Sequence, residues 1–175
     1  MVTPAHAQGA CSLQYAVKEA LERMGLRRVF LDYTAVPHEH PQGTKQPDAA
    51  WVPKKLPRNR TMVLEVAVSG SLARLRRDID MWVDPARGNV SIALAMKINR
   101  RRPEIQLEKY ERDSQGSTQT VLIRKSEGQV AVSGSLIIPF ESFVGRAPSK
   151  ERDIQIVEAA LREIAEDIWC AQQFE

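Results

Sequence analysis

Two carboxylates carry the first chemical signal in this sequence. Glu65 lies at the centre of the apolar run Met62-Val63-Leu64-Glu65-Val66-Ala67-Val68, and Asp48 follows Pro47 at the start of a shorter apolar segment. An ionisable group inside a run that reads as a buried strand is costly to desolvate unless a metal, a cation or hydrogen bonds compensate it. If the two segments are adjacent antiparallel strands, their carboxylates converge on one point. Converging hard oxygen ligands suit Mg²⁺ or Mn²⁺, and an ion held there could polarise a phosphate and acidify a bound water. The plainer alternative is that Asp48 caps a turn and Glu65 pairs with an arginine.

The elements that must position these residues follow from apolar periodicity. Residues 1–10 read as a flexible N-terminus, with 11–175 forming one domain. Leu13, Val17, Ala20, Leu21 and Met24 recur at helical spacing up to Gly25. Val29 to Tyr33 reads as a first strand, His38 to Lys45 as a loop, and Asp48 to Val52 as a second strand bounded by prolines. Met62 to Val68 is the third strand. Ser69-Gly70-Ser71 turns into a helix whose apolar face carries Leu72, Leu75, Ile79, Trp82 and Val83. Val90 to Ile98, arriving after a helix, fits a strand parallel to the third and covered on both faces. Strands over 104–110, 118–125 and 129–140 then form an antiparallel meander, and Ser149 opens a long helix with Ile154, Val157, Leu161, Ile164 and Ile168 on one face. The expected fold is α/β, ordered helix-strand-strand-strand-helix-strand, with the meander and C-terminal helix added.

Composition narrows the function classes. With 175 residues, 43% hydrophobic and 27% charged, the chain has enough apolar residues for a sizeable core, and no run approaches membrane-spanning length. No secretory signal is recognisable, so an intracellular location in cytoplasm or nucleus is expected. Cys11 and Cys170 are too few for a disulfide framework and read as buried thiols. The formal net charge is only +3, but the segment from Glu151 onward is net acidic while the remainder is basic. Lys54, Lys55, Arg58 and Arg60 form one basic cluster, Arg74, Arg76 and Arg77 a second, and Lys97 with Arg100, Arg101 and Arg102 a third. Nucleic acid could use such clusters, although solvated loops and helix faces give the same pattern. His38-Glu39-His40 lacks the partners of a zinc site, Ser69 and Ser71 lack a His–Asp pair, and Trp51, Trp82 and Trp169 read as core.

Pro47-Asp48 followed by Glu65-Val66-Ala67 resembles the PD-(D/E)XK signature of the restriction-endonuclease-like nuclease superfamily. Gly43 to Ala49, Leu64 to Ser69, Leu72 to Trp82, Lys97 to Arg100 and Ile105 to Lys109 are further similar to a group of uncharacterised fungal proteins assigned to that superfamily. The resemblance implies a restriction-endonuclease-like core that hydrolyses phosphodiester bonds in nucleic acid, with Asp48 and Glu65 as ligands of Mg²⁺ or Mn²⁺. First-helix glutamates often join the ligand set in such nucleases, which makes Glu19 and Glu22 candidates; Glu22 also stands at the spacing of a surface pair with Lys18.

One departure bears on activity. Where the motif has its lysine, this chain has Ala67. Lys97 is the first substitute, sharing a strand face with Ala93 and Ala95 opposite Ile92, Leu94, Met96 and Ile98. Its alternative is a strand-end lysine that reaches solvent. Arg74 and Arg77, on the helix after Glu65, are the second substitute, able to hold phosphate but poor as bases because they stay protonated. The rival to a nuclease is a silent module of the same fold that binds nucleic acid or protein, or self-associates as a homo-oligomer.

Overall fold

A computed structural model describes residues 3–33, 36–41 and 43–174. Its elements are α1 (Pro4–Arg23), β1 (Phe30–Asp32), β2 (His38–His40), β3 (Gly43–Lys45), β4 (Ala49–Pro53), β5 (Met62–Ala67), α2 (Leu72–Val83) and β6 (Ile92–Ile98). They continue as β7 (Glu104–Glu111), β8 (Ser117–Ser126), β9 (Gln129–Ser133), β10 (Leu136–Ile138), α3 (Phe140–Val144), β11 (Ile154–Ile156) and α4 (Glu158–Gln172). Seven strands form the main sheet in the order β1-β4-β5-β6-β7-β8-β9. β4 pairs antiparallel with β1 and β5, while β5 and β6 are parallel and joined across α2. This is the expected restriction-endonuclease-like core, α1-β1-β4-β5-α2-β6, extended by the antiparallel strands β7, β8 and β9.

Alternation along β5 and β6 assigns the two sheet faces. Met62, Leu64, Val66, Ile92, Leu94, Met96 and Ile98 face α1 and α4, in a core closed by Leu13, Val17, Leu161, Ile164 and Ile168. Val63, Ala93 and Ala95 face α2 and meet Leu75, Ile79 and Trp82. The face under α2 is lined by small side chains, so that helix sits close to the sheet and brings fully buried Trp82 against β5. Ser71 caps α2 by accepting from Arg74 N at 3.2 Å, and Asp84-Pro85 ends it.

Several expectations need correction. α1 starts at Pro4, with Thr3 as its cap, rather than near Cys11. Ala5, Gly9 and Ala10 are buried, so packing orders residues 3–10 of the segment expected to be flexible; Met1 and Val2 lie outside the described residues. The 38–45 stretch is a hairpin, β2 against β3, not a loop. The expected strand over 129–140 divides into β9, β10 and the start of α3. The final helix starts at Glu158 rather than Ser149, because Ile154 and Ile156 alternate in β11 and bury against β10. Ile154 and Val157, at i,i+3, extend the helical spacing of Leu161, Ile164 and Ile168 backward into a segment that is strand. Cys11 and Cys170 are both free and exposed, since they lie off the buried stripes of α1 and α4. Trp51, Trp82 and Trp169 are core as expected. Among the described residues, no helix is long and apolar enough to cross a membrane.

The turn after α2 fixes Trp82 from behind. Gly88 N donates to Met81 O at 3.0 Å, and a Cβ at Gly88 would stand 2.3 Å from Trp82 O and 2.4 Å from Trp82 Cα. Both atoms belong to a backbone that cannot rotate away. Gly88→Ala is therefore expected to lower stability by roughly 2–3 kcal/mol, read from the urea midpoint at unchanged slope; an unchanged midpoint would contradict this packing.

Candidate functional site

Antiparallel pairing of β4 with β5 sets Ala49 opposite Leu64. Asp48, one residue earlier, therefore falls beside Glu65 at the same end of the sheet. Its attachment is double: Asp48 N donates to Leu64 O at 3.0 Å, and Asp48 Oδ2 accepts from Val66 N at 2.7 Å. The residues on either side of Glu65 thus hold Asp48 in place. From the first turn of α1, His6 Nε2 lies 3.2 Å from the same Oδ2, and this bond raises the His6 pKa against the opposing effect of partial burial.

Glu65 is 8% exposed. Its Oε1 accepts from Trp82 Nε1 at 2.6 Å and lies 3.5 Å from Lys45 Nζ. The same ammonium is 2.8 Å from Asp78 Oδ1, so Lys45, delivered by the β2–β3 hairpin, bridges a strand carboxylate and an α2 carboxylate. Burial pushes Glu65 up to about 7. The Lys45 charge and the Trp82 bond pull it down, and the Asp48 and Asp78 charges push it further up. In the same cross-strand row, beyond Ala95, stands Glu108. Burial also acts on Glu108, but Arg76, Tyr110 and Gln106 donate to it and hold it below its ordinary value. The Arg76 bonds tie α2 to β7 and so keep Trp82 and Asp78 over β5.

Ala67 and Lys97 are register partners across the parallel β5–β6 pair. Lys97 therefore stands one strand away from the motif position, on the α2 face of the sheet, as its alternation predicts. Its Nζ donates to Val68 O at 3.2 Å, and burial lowers its pKa. A cleft of about 270 Å³ opens beside it, lined by His6, Glu65, Val68, Arg74 and Asp78 together with the Ser69–Ser71 turn. Lys97 itself does not line the cleft, although the carbonyl that holds it does. Of the two helix arginines considered, Arg74 lines this cleft, whereas Arg77 is exposed and lies outside its lining.

Glu19 and Glu22 do not join the site. They follow His6 on α1 by about 20 Å or more of helix rise and make surface pairs with Arg23 at 3.7 Å and Arg27 at 3.5 Å. The helix that brings His6 to Asp48 thereby carries both glutamates away from it. His6, Lys45 and Asp78 are site residues that the sequence reading did not select. His6 fell in the segment expected to fray, and Lys45 in the expected loop. The i,i+4 spacing of Arg74 and Asp78 was the one available signal for the latter. His38 and His40 lie in β2, where His38 Nε2 is 2.8 Å from Arg87 O and its Nδ1 3.2 Å from Arg60 Nη1.

The donor set bears on which ion it could take. Among the described residues, no group of three or more His, Cys, Asp or Glu side chains is placed to hold a metal. The bonds described here end on Glu65 Oε1 and Asp48 Oδ2, leaving Oε2 and Oδ1. Two carboxylate oxygens completed by water and phosphate are the usual provision for Mg²⁺.

The raised Glu65 pKa has a signed consequence for stability. Its unfolded reference is 4.5 and its folded value about 7. The stability it contributes is therefore complete below the lower value and lost as pH rises through the higher one. His6, also raised, acts in the same direction, with its contribution complete below 6.5. In chelator-treated protein, the stability of Glu65→Gln relative to wild type should rise by roughly 2–3 kcal/mol between about pH 5 and about pH 8. A difference independent of pH, measured by urea unfolding, would contradict this.

No family model and no curated protein matches this chain. Among solved structures it is similar to a protein from Anabaena variabilis ATCC 29413 described as a "putative nuclease belonging to DUF820". The TM-score is 0.54 at 8% sequence identity, over 94% of this chain and 82% of the other. At that identity the likeness speaks to fold, and it agrees with the core order and sheet topology described above: the chain has a mixed α/β, restriction-endonuclease-like fold with added antiparallel strands.

Proposed function

We propose that the protein is a metal-dependent nuclease that hydrolyses phosphodiester bonds in nucleic acid at the Asp48–Glu65 end of the sheet. The observation that carries this reading is the register of Ala67 with Lys97. The lysine missing from the motif strand is replaced by one from the adjacent strand, on the same sheet face as Glu65. Mg²⁺ or Mn²⁺, held by Asp48 and Glu65, would supply polarisation of the scissile phosphate and a water acidified enough to attack it. The chain supplies the rest. Deprotonated Glu65 is required for the ion, so a pKa near 7 makes occupancy rise with pH through neutrality. With an ion bound, Lys45 would give up Glu65 while keeping its Asp78 pair. Lys97 offsets phosphate charge, and Arg74 presents a guanidinium from the cleft wall. Arg100, Arg101 and Arg102, exposed in the β6–β7 turn just past Lys97, give neighbouring phosphates a further basic contact without reading bases.

One observation favours a second reading. The Lys45 ammonium already bridges Glu65 and Asp78, and a lysine that never left would make the chain a silent module binding nucleic acid or protein. Cleavage separates the two. Wild type, Glu65→Ala and Lys97→Met are incubated with single- and double-stranded DNA and RNA in Mg²⁺ or Mn²⁺. Wild-type cleavage is expected, with each variant reduced on the order of 100-fold or more. Salt-sensitive binding with no cleavage under any of these conditions would overturn the nuclease and favour the silent module.

A further inference from the structure

The basic loop joining β4 to β5 does not serve the carboxylate site. β5 runs from Met62 toward Ala67, so Arg58, Arg60 and Thr61 lie at its opposite end, on the order of 13 Å or more from Glu65 by strand rise. There they meet the approach to β6 and the end of β7, and together enclose a cleft of about 330 Å³. Arg58, Arg60, Arg112, Asn89, Ser91 and His38 are among its lining residues.

The charges in this cleft are poorly compensated. Arg60 Nη2 donates to Val36 O at 2.8 Å and Pro37 O at 3.0 Å, its Nη1 meets His38 Nδ1, and its Nε is buried without a partner. Arg112 donates to Val90 O at 3.3 Å and, through Nη2, to Asn89 O at 2.7 Å and Ser91 Oγ at 3.4 Å. Arg58 is exposed on the rim. Among the described residues, none of the three forms an ion pair with a carboxylate. By contrast, nearby Arg87 is paired with Asp84 at 2.7 Å. His38 lies between Arg87 O and the Arg60 guanidinium and brings no negative charge to the cleft. The cleft's one acidic lining residue, Glu141, is exposed and unpaired with these arginines. Burial lowers the Arg60 pKa, with the Tyr33 side chain opposing the shift.

Guanidinium groups held by neutral carbonyls keep a full charge that no carboxylate cancels, and such a charge suits phosphate. Asn59, Asn89 and Ser91 add neutral hydrogen-bonding groups around them, and the volume is in the range of small-ligand sites. We infer that this cleft is a phosphate-binding site, separate from the carboxylate site, in which Arg58, Arg60 and Arg112 receive the phosphate of a nucleotide or of a nucleic-acid backbone. The site stands whether or not the carboxylate end cleaves anything. Arg60 also secures the chain at Val36 and Pro37, and Arg112 secures the 89–91 turn, so exposed Arg58 is the residue to substitute.

The test uses the full chain with inorganic phosphate, adenosine monophosphate and a short oligothymidine, each at ionic strength matched with chloride. Saturable shifts of the Asn59, Gly88 and Asn89 backbone amides are expected, with binding weakened about tenfold in Arg58→Ala. A monophosphate that binds as well as the oligonucleotide identifies a nucleotide site. An oligonucleotide that binds far better, with affinity falling steeply as salt rises, identifies a backbone contact. Either result supports the phosphate site. No saturable shift at these amides, shifts confined to the Glu65 and Ser71 region, or an Arg58→Ala affinity equal to wild type would overturn it.

Discussion

A single buried carboxylate sets the demands that the surrounding structure meets. Glu65 sits in the middle of the sheet, where an isolated charge is expensive, and its neighbours are arranged to reduce that cost. Trp82 donates an indole N–H from α2, and Lys45 brings a cation from a hairpin inserted between β1 and β4. Those two contacts explain features that otherwise look unrelated. The alanines on the α2 face of β6 let Trp82 come close, Gly88 lets the chain turn against the Trp82 backbone, and the β2–β3 hairpin exists at the position from which Lys45 can reach in. Compensation is nonetheless incomplete, and Glu65 remains raised to about 7.

Glu108 shows what full compensation looks like in the same row of the sheet. It is 1% exposed, yet a bidentate guanidinium, a phenol and an amide all donate to it, and it stays below its ordinary value. Two carboxylates buried in one cross-strand row, two strands apart, are thus shifted in opposite directions. The well-satisfied one fastens α2 to the sheet. The other borders an open cleft, beside a second carboxylate and a nearby lysine, which is where a perturbed group is more readily understood as chemistry than as architecture. Both carboxylates and several cations meet where β5 finishes, whereas at its start Arg58, Arg60 and Arg112 gather, none of them ion-paired to a carboxylate among the described residues.

Much of this arrangement was legible in the sequence because it follows from alternation. Glu65 as a charge in an otherwise apolar run, Lys97 on the face opposite Ile92, Leu94, Met96 and Ile98, and the Leu72–Val83 helix all come from period and composition alone. What escaped depended on tertiary contacts. His6 belongs to a segment with little apolar periodicity that is helical because Ala5, Gly9 and Ala10 pack into the core. Lys45 lies in a short polar hairpin with no strand signature of its own. Ile154 and Val157 share helical spacing with Leu161, and only the pairing with β10 shows that Ile154–Ile156 is strand. The exposure of Cys11 and Cys170 is likewise a matter of which helix face points outward, which two isolated cysteines do not reveal. Glu19 and Glu22 failed for the converse reason: presence on the first helix says nothing about which end of it reaches the sheet.

The proposed role of Glu65 rests on whether a divalent ion can displace Lys45 and sit between two carboxylates. Anomalous diffraction from crystals soaked in Mn²⁺ at a pH above 7 addresses this directly. The result expected is an anomalous peak bridging Asp48 and Glu65, with the Lys45 ammonium withdrawn from Glu65 and still paired with Asp78. A map without a peak there, with Lys45 still between Glu65 and Asp78, would contradict it.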